Sequence, residues 1–158
     1  MPLCNANYKF PRVMSRVVLD LAPAGTAIET VDSYTVPANT LVNNGDSVDI
    51  NWRIRQVNAN SCTVTVDVPT IGSSMIADAR ALTSDRYVNV HFERLSSTVV
   101  RRTLRYMYAS GIWYEPASLT TSFTDALAAF TTYLRFTNPT AAADMKVISR
   151  EVIFTPGV

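Results

Sequence analysis

"SYTVPANTLVNNGDSVDINWRIR", Ser33 to Arg55, is the stretch whose reading decides the fold. Its second half alternates, with Val48, Ile50, Trp52 and Ile54 on one side and Asp49, Asn51, Arg53 and Arg55 on the other. An unbroken period of two predicts a half-buried antiparallel strand. Its first half, "SYTV", is a second strand that must stop at Pro37, whose ring fixes φ and removes the N–H. Between the two, "ANT" makes a polar bend with Leu41 tucked beneath it. Asn44-Gly45 is a tight-turn pair, because both residues tolerate positive φ. Nothing in the stretch reads as a nucleophile, a base or a ligand cluster, so it is a loop that builds a fold.

Working outward, the same period recurs. "SCTVTVDV" sets Cys62, Val64, Val66 and Val68 against Thr63, Thr65 and Asp67. "RYVNVHFERL" sets Val88, Val90 and Phe92 against Tyr87, Asn89, His91 and Glu93. "VVRRTLRYMY" sets Val100, Leu104, Tyr106 and Tyr108 against Arg101, Thr103 and Arg105, with Arg102 interrupting the apolar row. In "VMSRVVLDL", Val13, Val17, Leu19 and Leu21 share one face, with Met14, Arg16, Val18 and Asp20 on the other. In "KVISREVIF", Ile148, Val152 and Phe154 share a face with Arg150. Helix signals are few. "TDALAAFTTYL" opens with Thr124 or Asp125 as an N-cap and predicts a short helix that turns to strand before Phe136, and "MIADARALTSD" a helical turn. Short strands punctuated by Pro, Asn, Gly and Ser predict an all-β, antiparallel jelly-roll-like β-sandwich with at most one or two short helices. The expected organisation is an N-terminal extended arm over residues 1–12 and a single sandwich domain over 13–158.

Composition narrows the function. The chain has 158 residues, 47% of them hydrophobic and only 17% charged, with a net charge of +1. A near-neutral chain gives no bulk attraction to nucleic acid or to an anionic membrane. No apolar run approaches the ~18 residues of a membrane span, and the start "MPLCNANYKFPRV" lacks the pattern of a signal peptide. Edges of a sheet-rich fold need covering, and with few charges to do it, neighbouring subunits are the expected cover. Cys4 and Cys62 match no metal or redox spacing, and Cys62 reads as a buried free thiol.

The phrase "SYTVPANTLVNNGDSVDI" resembles a group of small tailed-bacteriophage virion proteins and fibre domains, in which "SYT(I/V)PANTL" is followed by "NNGD" and a strand. The likeness covers Ile28 to Asp49, and more loosely the C-terminal third, where "TNPTAAADMKVISREVIF" is similar to the family's penultimate loop and final strand. The middle, "MIADARALTSDRYVNVHFERLSS", departs from the pattern. The resemblance implies a jelly-roll-like sandwich, usually trimeric, on the outside of a virion. The expectation is a non-enzymatic capsid decoration or cement protein, assembled in the host cytoplasm, whose partners are itself and the major capsid protein or another virion protein.

Chemistry-bearing residues agree with a structural role. His91 is the only histidine, which excludes multi-histidine metal sites, and its place opposite the apolar row of Val88, Val90 and Phe92 reads as a solvated or interface histidine rather than a catalytic one. Carboxylates are scattered, and the cluster from Asn43 to Asp49 lacks the alternating acidic loop and closing glutamate of a calcium site. No catalytic residue, cofactor or metal is expected. The candidate interface is Arg53, Arg55, Arg101, Arg102 and Arg105, together with Tyr8 and Phe10 of the arm, since arginine makes planar multidentate pairs. The bland reading pairs those arginines within the chain, with Asp49, Asp67 or Glu93. The alternative function is a receptor-binding module of a tail fibre or spike, reading host glycans with Trp113 and Tyr114 of "GIWYEP", expected in a loop. Pro37, Leu41, Asn44 and Gly45 are the fold-defining turn.

Overall fold

The computed structural model describes residues 10–25, 27–57, 63–71, 73–78, 85–108, 113–123, 125–137 and 144–157. Cys4, Cys62 and Tyr8 lie outside them. The strands are β1 (Arg12–Leu21), β2 (Glu29–Val36), β3 (Ser47–Gln56), β4 (Thr63–Val68), β5 (Ser73–Asp78), β6 (Asp85–Arg94), β7 (Val99–Tyr108), β8 (Trp113–Ser122), β9 (Phe130–Thr137) and β10 (Met145–Thr155). One sheet runs β1-β10-β3-β6-β7-β8 and the other β2-β9-β4-β5, with every pairing antiparallel.

This order is a jelly roll. β1 pairs with β10, β2 with β9, β3 with β6 and β4 with β5, so the chain is one long folded ribbon wrapped into two layers. The β7–β8 hairpin is an insertion between β6 and β9 that widens only the first sheet. Among the described residues the helical content is one 3₁₀ turn, Pro69–Ile71.

The core is the set of inward faces that the alternation predicts. Val48, Ile50, Trp52 and Ile54 of β3 meet Val64, Val66 and Val68 of β4, all buried. Phe130 of β9 stands edge-on to Phe92 of β6 and to Phe123, with ring centroids 4.9 and 5.2 Å apart, so aromatic contacts tie the sheets together. Each fully buried side chain of this size contributes roughly 1.5–3 kcal/mol.

Four expectations are corrected. Asp125 does not start a helix: Leu127 N donates to its carboxylate and Ala128 N to its carbonyl, a single turn, and β9 begins at Phe130. The β-branched Thr131 and Thr132 are better placed in a strand hydrogen-bonded on both sides. Met75–Asp78 belong to β5, not to a helical turn, while residues 79–84 lie outside the described set. In β1 a register shift between Val13 and Ser15 leaves Val13 exposed and sets Met14, with Leu19, against the core. A shift between Val147 and Ser149 likewise buries Val147 in place of Ile148, although Arg150, Val152 and Phe154 do share the inner face.

The stretch from Pro37 to Asp46 crosses from one sheet to the other. β2 ends at Val36, as Pro37 requires, and Leu41 is buried under the bend. Thr40 Oγ1 donates to the Pro37 carbonyl at 2.7 Å, and Asn39, in the left-handed region at φ 59°, donates its N–H to the Leu127 carbonyl. Asp46 N donates to the Asn43 carbonyl, with Gly45 at φ 85°. Only Gly45 of the Asn44-Gly45 pair uses positive φ, the pattern of a type II turn.

Buried Asp46 closes the loop. Its Oδ2 accepts from Asn43 N at 2.6 Å and its Oδ1 from Gly157 N at 2.7 Å, which fastens the end of the chain to the crossover. Arg94, at the end of β6, donates to the carbonyls of Leu41 and Val42. A carboxylate taking two backbone N–H groups and an arginine taking two carbonyls leave little of this irregular backbone unsatisfied.

Candidate functional site

The outer face of the six-stranded sheet carries the molecule's polar chemistry. β3 and β6 pair with Asp49 opposite His91, Asn51 opposite Asn89 and Arg53 opposite Tyr87, and β7 brings Arg105 beside Asn89. Pleating therefore collects Asp49, Asn51, Asn89, His91 and Arg105 on one surface. Asp49, Asn51, Asn89 and Arg105 line a cavity of about 360 Å³.

The hydrogen bonds in this basin are ordered by Asn89, which is 6% exposed. Its Nδ2 donates to Asp49 Oδ1 at 3.0 Å and to Asn51 Oδ1 at 2.9 Å. Both neighbours are acceptors, so the amide orientation is set, and Asn89 Oδ1 is left buried with no hydrogen-bond partner. His91 Nδ1 lies 3.0 Å from Asp49 Oδ1 and must carry the proton, since an ionised carboxylate only accepts. Burial pushes the Asp49 carboxyl up. The hydrogen bonds from His91 and Asn89, with the charges of His91 and Arg105, outweigh it and hold the group below its ordinary range. The cavity is thus lined by an anionic carboxylate, two side-chain amides and a guanidinium, polar groups of the kind that meet hydroxyl-rich ligands.

The predicted arginine patch resolves differently. Arg102 is fully buried between the sheets and cannot contact a partner; desolvation lowers its pKa, and the Asp67 charge opposes that shift. It sits on the inner side because Val100, Arg102 and Leu104 share one parity. Arg53 and Arg55 both grip Asp85, and Arg101 grips Glu93, so intramolecular pairing accounts for them. Their hydrogen bonds, Arg55's foremost, hold Asp85 down at about 2. Of the five arginines, Arg105 alone joins the basin. Phe10 is 74% exposed at the edge of the described residues.

Trp113 and Tyr114 are in β8, not in a loop, with Trp113 opposite Met107 and Tyr114 opposite Tyr106. A register shift between Leu104 and Tyr106 lies beside Arg105, where β8 passes the basin. Sequence reading missed Asn51 and Asn89 as a pair. Each stands on the polar side of its own strand, but the register that faces them spans nearly 40 residues and leaves no local trace.

No protein-family model matches the chain, and no curated protein matches it by sequence. Among solved structures, the metal-free lectin I-B4 from Griffonia simplicifolia is similar over 94% of each chain, with TM-score 0.41 and 8% identity. A protein of unknown function from Shewanella oneidensis MR-1 is similar over 97% of this chain and 81% of its own, with TM-score 0.39 and 12% identity. The structure of infectious bursal disease virus, Gx strain, is similar over 91% of this chain and 32% of its own, with TM-score 0.32 and 13% identity. Likenesses this distant carry no argument about function.

Proposed function

We propose that the chain is a non-enzymatic structural protein of a bacteriophage virion, a decoration or cement protein on the capsid exterior that assembles as a homotrimer. The observation that carries the reading is the phrase Ser33–Ile50. It resembles that of tailed-phage virion proteins, and here it forms the crossover that Asp46, Arg94 and Gly157 lock. A wedge this firmly sewn suits a subunit whose task is to hold shape while seated on a neighbour. Stabilisation of a capsid would come from interface area buried across its subunit junctions. Particles assembled without the chain should disrupt at lower temperature than complete ones, and purified protein added back should restore them. Undecorated capsids that neither bind the protein nor gain stability would refute the reading.

The outer-face basin favours a second reading, a glycan-binding module of a tail fibre or spike. The cavity lined by Asp49, Asn51, Asn89 and Arg105 sets a carboxylate, two amides and a guanidinium around one space, a lining that suits sugar hydroxyls, which both donate and accept. Binding on a glycan array that is abolished by Asn89→Leu, with label at the tail tip of intact virions, would replace the first reading by this one.

A further inference from the structure

β1 is the edge of the six-stranded sheet, and it is dressed for contact. Val18 is 87% exposed, and Val13, Val17, Leu21 and the nearby Ile28 add to the densest run of exposed large hydrophobics among the described residues. An edge strand that no other described strand covers, and that exposes this many valines, invites another strand. β2, the edge of the other sheet, instead exposes Thr30, Ser33 and Thr35. We propose that β1 is a homotypic docking strand, through which two copies of this chain pair antiparallel about a two-fold axis at Val18.

The choice of a second copy rests on charge. Arg16-Val17-Val18-Leu19-Asp20 is complementary to its own reverse. Antiparallel pairing centred on Val18 sets Arg16 of each copy opposite Asp20 of the other, Val17 opposite Leu19, and Val18 opposite itself. Arg16 and Asp20 are on the outer face with Val18, because Arg16 pairs with Glu151 and Asp20 with Lys146 while Leu19 packs inward. Their side chains are 71% and 73% exposed, so each can turn to a second partner. Across the axis the charges would alternate Lys146, Asp20, Arg16, Glu151, twice over. Centring the pair on Arg16 instead puts like charges face to face, which fixes the register. The contact is isologous, and so separate from any three-fold assembly. Alone it makes dimers, and joined to a trimer it makes hexamers.

Sedimentation equilibrium at tens of micromolar tests this in two arms. The native chain should run as an even multiple of its 17.4 kDa. Arg16→Asp or Asp20→Arg should each raise the dissociation constant at least about tenfold, since symmetry reverses two cross-strand pairs at once. The combined exchange should recover assembly. In a Cys4→Ser, Cys62→Ser background, Val18→Cys should oxidise to a covalent dimer, because opposed residues lie ~4.5–5.5 Å apart at Cα, within disulfide reach. Thermal melting of each variant shows that it is folded. A native mass that is monomeric or trimeric overturns the proposal, as does an even multiple that is indifferent to both charge reversals. So does a folded Val18→Cys variant that fails to cross-link.

Discussion

Besides the apolar core, a single carboxylate links the two sheets by hydrogen bonds, and Asp32→Ala tests how much it contributes. Asp32 on β2 receives Arg150 Nη1 of β10 at 2.8 Å on both oxygens and Trp52 Nε1 of β3 at 2.8 Å. The two charged side chains are only 9% and 13% exposed, and Arg150 also lies over the Tyr34 ring and donates to the Ser33 carbonyl. Removing the carboxylate leaves a guanidinium largely out of water and a buried indole N–H with no acceptor. Breaking a buried pair costs about 3–5 kcal/mol. An orphaned N–H costs about 1–3 kcal/mol. The same atoms serve both, so the costs overlap, and about 4 kcal/mol is expected. For a domain of this size that lowers the melting temperature by about 10 °C. Urea unfolding followed by tryptophan fluorescence reads the change. Arg150 Nε is itself buried without a partner, so the pair is imperfect, and replacing both residues by apolar groups (Asp32→Leu with Arg150→Met) should recover most of the loss. A loss below ~1 kcal/mol for Asp32→Ala, or a double variant worse than the single one, would refute this account.

Three further outcomes follow from other sites. A Cβ on Gly157 would meet Asn44 O at 2.4 Å, Gly45 C at 2.7 Å and Asp46 N at 2.8 Å, all backbone, so Gly157→Ala should unfasten the crossover. Faster amide exchange at Asn43 and Gly157 would register it, and unchanged protection would contradict the lock. Asp85 has its folded pKa depressed to about 2 from the ordinary 3.8 of an aspartate, so its contribution is present above pH ~4 and is lost as pH falls through the folded value. Asp85→Asn should flatten the acid limb of the stability curve between those values, by under about 1 kcal/mol because the arginines are exposed. Asn89→Asp sets a buried carboxylate against Asp49 and the Asn51 carbonyl, raising its pKa. The variant should therefore be weakest at neutral pH and regain stability as the new group is protonated, the reverse of the Asp85 trend, as melting across pH 4–8 would show.

The extent to which this structure could be read in advance follows the range of the interactions. β3 was legible because its alternation is local and continuous, and Pro37 and Leu41 act within their own loop. Register was not legible. The one-residue shifts in β1 and β10 arise where two strands of unequal path are matched, and no pattern in either strand announces them. The Ala-rich run after Asp125 read as helix because its propensity is helical, but β9 needs that chain to reach both β2 and β4. Arg102 broke an apolar row in the sequence, which is how a buried charge looks before its surroundings are known. The basin failed for the same reason as the bulges: Asn51 and Asn89 are ordinary alone and distinctive only once opposed.

The nested pairing of the ribbon also orders the events by which the chain can fold. β4 and β5 are neighbours joined by one short turn, while β1 meets β10 with Arg12 opposite Phe154, nearly the whole chain apart. Closing an outer rung first would cost the entropy of the longest loop, whereas each inner rung already formed shortens the next closure. Among the nested rungs, loop entropy therefore favours closure from β4–β5 outward, in a topology built on distant contacts of the kind that folds on the slow, millisecond-to-second scale. The strand sewn in last is β1. On that order its edge stays open longest, so the proposed pairing with a second copy would compete with the final step of folding itself.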